Sequence, residues 1–178
     1  MSIFVFYFNT ISVLQTNLNT IAEYAEEREE ENIHFRSWLK QKDSKQLDRL
    51  VHEINNEVSA AIDCTQCGNC CKSLVINVEK EDAIACAKGL NLPTEEFVKK
   101  YIETSEEGNY FISAIPCHFF ADKKCTIYEH RFTSCREFPY LHKEGFQSRL
   151  LSTLMHYGTC PIVYNVLEEL KVRVGYLK

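Results

Sequence analysis

Apolar residues recur at helical spacing through the first third of the chain. Over residues 17–40, Ile21, Tyr24, Ala25, Phe35, Trp38 and Leu39 lie near one face of a helix. The run Glu26, Glu27, Arg28, Glu29, Glu30, Glu31 reads as the solvated face of that helix. Asp43 with Gln46 three residues on resembles a capping box. Leu47, Leu50, Val51, Ile54, Val58 and Ala61 then follow the i, i+3, i+4, i+7 pattern, so a second amphipathic helix is expected over 44–62. It should run antiparallel to the first across a short turn and deliver the chain into Cys64.

The pattern then shortens. Residues 72–78 are β-branched and read as extended. A short helix over 79–89 should stop at Gly89, and another over 94–103 carries Glu95 and Glu96 in its first turn, where they complement the helix dipole. Residues 109–115 read as a strand, and 117–148 as turns and loops around three cysteines. A last helix begins at Pro161, whose missing N–H suits a first turn, with Ile162, Val163, Val166, Leu167 and Leu170 on its apolar face.

Length and charge narrow the class. A chain of 178 residues can bury a core without covalent staples. The net charge of −5 gives no basic face for nucleic acid or an anionic membrane. The apolar stretch 3–14 has no preceding Lys or Arg, no small-residue cleavage site after it, and too few residues to span a bilayer. It reads as a lead-in to the first helix. The expected compartment is therefore the cytoplasm, where clustered thiols mean metal or redox chemistry more often than disulfides. A disulfide framework is the reading for an oxidising compartment.

Cysteine changes the picture most. There are nine, at 64, 67, 70, 71, 86, 117, 125, 135 and 160. Two thiolates two residues apart converge on one ion while the backbone turns around it, in zinc and iron–sulfur sites alike. Here Cys64, Cys67 and Cys70 follow at successive steps of three, with Gly68 between them free to take a positive φ. The order C-x-x-C-x-x-C matches the bacterial ferredoxin run, whose further ligand is often a Cys-Pro such as Cys160-Pro161. On an extended chain Cys71 would point away from Cys70 and serve a second centre or an outer thiol. Cys117, Cys125 and Cys135 would complete that centre. Setting aside Cys86, which sits among alanines as a buried thiol, leaves eight cysteines for two four-thiolate sites, or for one site with spare thiols. Softness suits zinc and iron–sulfur equally. Arg131 and Arg136 are read as compensating thiolate charge, and Lys72 and Lys124 as surface cations. His118, His130, His142 and His156 are reserve ligands, and Tyr128, Phe138 and Tyr140 core or a cover over the sulfurs.

The sequence resembles the bacterial YkgJ-type cysteine-cluster family, a zinc- or iron-chelating domain. The likeness rests on Cys64-x-x-Cys67-x-x-Cys70-Cys71, then Cys117, then Cys125-Thr-Ile127-Tyr128-Glu-His-Arg131-Phe132-Thr-Ser-Cys135-Arg136-Glu-Phe138-Pro139. Phe132 stands where the family usually carries proline. The resemblance covers roughly residues 60–162 and implies metal binding through these cysteines, without a settled activity.

The fold expected is a small, mainly α domain with a short β element around a cysteine-ligated metal core. Its parts are an apolar lead-in (1–16), a helical hairpin packed on the core (17–62), the cysteine-cluster domain (63–172) and a tail (173–178). The expected function is metal binding through Cys64, Cys67, Cys70, Cys71, Cys117, Cys125, Cys135 and Cys160, with zinc or an iron–sulfur cluster in a structural or electron-carrying role. The alternative is a metal-dependent enzyme that uses a cluster or a spare thiol. No Ser-His-Asp arrangement, H-E-x-x-H or phosphate loop assigns a chemistry, and nothing names a protein partner.

Overall fold

The computed structural model describes residues 13–122 and 124–176. Most of the apolar lead-in and the last two residues of the tail lie outside the described residues. In chain order the helices are α1 (Leu18–Glu27), α2 (Glu29–Leu39), α3 (Ser44–Ala61), α4 (Cys64–Cys67) and α5 (Cys70–Ser73). After strand β1 (Ile76–Val78) come α6 (Lys80–Gly89), α7 (Thr94–Tyr101), and strands β2 (Glu103–Thr104), β3 (Tyr110–Ile112), β4 (Phe120–Ala121) and β5 (Lys124–Cys125). A 3-10 turn over Tyr128–His130 leads to α8 (Thr133–Glu137), α9 (Phe146–Met155) and α10 (Pro161–Arg173). The fold is mainly α with short β elements, as the periodicity predicts.

Three local expectations need correction. The helix over 17–40 is broken at Arg28 (φ −109°, ψ 16°). There Arg28 stacks on the Tyr24 ring, 4.6 Å from its centroid, and pairs with Glu168. The extended stretch over 72–78 is strand only at Ile76–Val78, because Leu74 N–H bonds Cys70 C=O at 3.0 Å and closes a helical turn first. The loops over 117–148 contain a hairpin, α8 and the start of α9.

The chain divides into two compact units. One joins the described residues of Met1–Ser59 and Glu144–Lys178. Within it α1 packs on α10 and α2 on α9. Its buried apolar side chains include Ile21, Phe35, Leu39, Val51, Ile54, Leu150, Val163 and Leu167. Lys171 is 0% exposed, and its Nζ reaches Glu31 Oε1 at 2.5 Å and Glu168 Oε1 at 2.7 Å. Tyr157 Oη donates to the same Glu168 oxygen at 2.7 Å. The segment entering α1 is held by Asn165, which accepts from Gln15 N–H at 2.9 Å and donates to Gln15 C=O at 2.8 Å.

The other unit is Ala60–Lys143. Its antiparallel sheet has the order β1-β3-β2, with Ile76 opposite Ile112 and Glu103 opposite Phe111. α6 packs on α7 beside it. Ile76, Val78, Ala83, Ala87, Phe97, Ile112, Phe119, Ile127 and Phe132 form the core. Cys86 and Cys117 are buried in that core, and Cys71, Cys125 and Cys135 pack against it. Gly89, at the end of α6, lies under the His130 ring: a Cβ there would meet Cγ, Cδ2 and Nδ1 at 2.5–2.7 Å. Gly89→Ala is therefore expected to destabilise the protein by about 1–3 kcal/mol through overpacking, as measured by urea unfolding. An unchanged midpoint would show that the His130 ring moves aside freely.

Candidate metal centre

The motif at Cys64 is a pair of single helical turns joined by one left-handed residue. Asp63 caps the first: its carboxylate accepts from Thr65 N–H at 2.9 Å, Thr65 Oγ at 2.6 Å and Gln66 Nε2 at 3.1 Å. The bonds from Thr65 hold that carboxyl below its usual range. Cys64 and Cys67 stand three apart on this turn, which puts their side chains on one face. Gly68 ends it at φ 58°, ψ 13°, and its N–H bonds Cys64 C=O at 3.2 Å. Asn69 opens the next turn, which carries Cys70 and Cys71.

The helical turn corrects the reading of Cys71. On a strand the two neighbouring side chains would point to opposite faces; α5 is a helical turn, so they do not. The Cys71 thiol donates a hydrogen bond to the Cys70 sulfur, and the N–H groups of Cys71 and Cys70 also point at it. These bonds pull the Cys70 thiol well below its ordinary value. The same bond, with burial, pushes Cys71 up, because it is the donor.

A second segment brings up two more thiols. Cys117 N–H bonds Cys71 C=O at 2.8 Å, tying the two motifs together by backbone. Phe120 then pairs with Cys125 across the β4–β5 hairpin. Phe119 N–H points at the Cys117 sulfur and Ile127 N–H at that of Cys125. Each thiol is thus served by the amide two residues on, an arrangement that favours a thiolate. Cys135 comes from α8. Phe132 precedes that helix at φ −58°, within the range proline would impose, and its ring is buried against Phe119 at 6.1 Å between centroids. Packing of its ring thus holds Phe132 at a φ that a proline ring would impose.

The thiols share one electrostatic neighbourhood. Cys70 acts on Cys64, Cys71, Cys117, Cys125 and Cys135, and Cys67 acts on Cys64. Burial raises Cys64, Cys117 and Cys125, and pushes Cys135 up to about 12. Arg131 opposes this by favouring the thiolates of Cys64, Cys70 and Cys125. Its guanidinium also lies 3.9 Å from the Tyr128 ring centroid. Arg136 is held by partners of its own. It pairs with Asp82 at 3.4 Å, bonds Thr133 Oγ at 3.0 Å, and donates to Arg131 C=O.

The remaining candidates have surroundings of their own. Cys160 precedes α10 in the helical unit, where it is buried. Burial in α6 raises the Cys86 thiol to about 11. His130 packs on Gly89, and His118 meets the Tyr101 ring edge at 5.9 Å. Lys72 lies 5.9 Å from the Phe120 ring centroid. All nine cysteines are free thiols. Among the described residues no three Cys, His, Asp or Glu side chains are arranged to hold one metal ion.

By chemistry, partly buried thiols with amides aimed at their sulfurs are donors for a soft or borderline cation. Such thiolates repel one another unless a positive charge stands among them. The family model described as "CxxCxxCC: Putative zinc- or iron-chelating domain" matches residues 63–152, half of the chain. The chain belongs to the CxxCxxCC family. No curated protein and no solved structure matches it. The CxxCxxCC match spans both turns of the Cys64 motif, the hairpin and α8, so every thiol of the neighbourhood just described lies inside it. Among the described residues no helix is long and apolar enough to cross a membrane.

Asp82 is the residue that sequence reasoning missed. It accepts from Thr133 N–H at 2.6 Å and from Thr133 Oγ at 2.9 Å, across 51 residues. In the sequence it is one acid among Glu79, Glu81 and Asp82, and no spacing rule singles it out.

Proposed function

We propose that the Ala60–Lys143 unit binds zinc or an iron–sulfur cluster through thiolates drawn from Cys64, Cys67, Cys70, Cys71, Cys117, Cys125 and Cys135, in a structural or electron-carrying role. The observation that carries this reading is the single neighbourhood of thiols around Cys70, assembled from three separate chain segments. All-cysteine ligation closes a site, and closed sites are structural or carry electrons. Arg131 offsets part of the negative charge that four thiolates leave around a divalent ion. A reducing compartment such as the cytoplasm suits thiols kept free for a metal.

When bound, zinc would supply a redox-inert cross-link between the Cys64 motif and the hairpin, and an iron–sulfur cluster would add one-electron transfer. The test is anaerobic purification followed by metal and sulfide analysis and a visible spectrum. A brown protein with iron and acid-labile sulfide selects the cluster; a colourless one with stoichiometric zinc selects the ion. Protein that neither retains nor rebinds either metal would sink the proposal.

A second reading, an enzyme, is favoured by one observation. These thiols outnumber the four that a tetrahedral ion takes, and Cys64 and Cys70 are exposed. X-ray absorption showing three sulfur ligands and an open position would favour it; four sulfur ligands would count against it.

A further inference from the structure

We propose that Asp82 is the positioning residue of the metal centre, fixing both Cys135 and Arg131 from a helix that supplies no ligand. The inference rests on the thiolate-centre reading above. It starts from what caps the helix that carries Cys135. The helix α8 has five residues and cannot be stable alone. The residue before it, Phe132, makes no side-chain cap bond. The capping carboxylate comes instead from Asp82 on α6, whose two oxygens take the N–H and the hydroxyl of Thr133. Its side chain is only 12% exposed. Ser134 adds two ties: its Oγ donates to Asn77 C=O of β1 at 2.7 Å, and its C=O accepts from Tyr140 Oη at 3.2 Å. Cys135 is the next residue.

The same carboxylate reaches the backbone of Arg131. Asp82 Oδ1 pairs with Arg136 at 3.4 Å. Arg136 in turn bonds Thr133 Oγ at 3.0 Å and donates to the backbone carbonyl of Arg131. Arg131 stands four residues before Cys135, with its guanidinium 3.9 Å from the Tyr128 ring centroid. Asp82 thus holds the helix that carries Cys135 through its cap, and the backbone of Arg131 through one intermediate. Removing the carboxylate would release both at once. Loss of such an outer partner typically lowers metal affinity about 10- to 100-fold.

The experiment titrates the full chain with Co2+, whose ligand-field and thiolate charge-transfer bands report coordination. Asp82→Ala is expected to weaken Co2+ binding about 10- to 100-fold and to shift those bands. Asp82→Asn keeps an acceptor for Thr133 but loses the charge that holds Arg136, so it should fall between. The control is Asp48→Ala. Asp48 caps α9 in the same manner, accepting from Gly145 N–H at 2.8 Å and Phe146 N–H at 2.9 Å. It should lower the melting temperature and leave affinity and spectrum unchanged. Wild-type affinity and bands in Asp82→Ala would overturn the proposal, and so would an equal loss in Asp48→Ala. Should Asp82→Ala not fold, Asp82→Asn decides by the same two readouts. A wild-type chain that binds no Co2+ is a different result: it sinks the thiolate centre itself.

Discussion

Chelating the metal, or replacing Cys70 with serine, is expected to lower the melting temperature of the chain by roughly 10 °C or more. Structural thiolate sites contribute on the order of 10 kcal/mol to the folded state. For a chain of this length each kcal/mol moves the midpoint by about 2–4 °C. Cys70 is the thiol to change because its charge acts on five others and it shares a hydrogen bond with Cys71. Its loss leaves the remaining thiols without their common neighbour. Differential scanning calorimetry of holo, chelated and Cys70→Ser protein measures the effect, and three equal midpoints would refute it. Cys86→Ala is the matched comparison. It removes a fully buried thiol from the core of the same unit. It should cost stability through packing and leave the metal content unchanged.

The second large effect is expected far from the thiols in sequence. Glu168→Ala should destabilise the helical unit by about 3–5 kcal/mol, the usual result of leaving a buried charge without its partner. Glu168 accepts from Arg28, Tyr157 and Lys171 together. Lys171 has no exposed surface, so its ammonium would keep only Glu31 as an ion-pair partner. Tyr157 would lose the acceptor of a nearly buried hydroxyl. Urea unfolding gives the number. Glu53→Ala, at a 64% exposed side chain, should stay within about 0.5 kcal/mol. The double variant Glu168→Leu with Lys171→Met should recover much of the loss, because it removes both charges instead of stranding one. A double variant no better than Glu168→Ala would show that the site needs its charges for packing geometry.

The legible parts of the sequence were those governed by local rules. The helix over 44–62 appears as Ser44–Ala61 because its apolar stripe and the Asp43 cap act within a few residues. Pro161 marks the first turn of α10 for the same reason. Gly68 sits left-handed between two turns, where the step of three in the cysteine motif requires it. The α9 helix was not legible. Leu151 and Met155 are exposed and blur its stripe, and its cap is Asp48, 97 residues away from Gly145. The break at Arg28 was invisible too, since its partner Glu168 lies 140 residues on. Arg136 looked like a compensating cation because it adjoins Cys135; Asp82, not in the motif, turns it elsewhere.

By itself, then, the sequence determined a mainly helical chain, the two cysteine motifs and the thiolate chemistry that belongs to them. Those follow from side-chain spacing on a helix and from the softness of sulfur, which need no knowledge of the fold. Only the tertiary structure decided that Cys117 is bonded to Cys71 and that the charge of Arg131 favours the thiolates of Cys64, Cys70 and Cys125. Each of these depends on hydrogen bonds or charges between residues that chain folding makes neighbours. A capping carboxylate 51 residues from its helix leaves no periodic trace for a sequence to display.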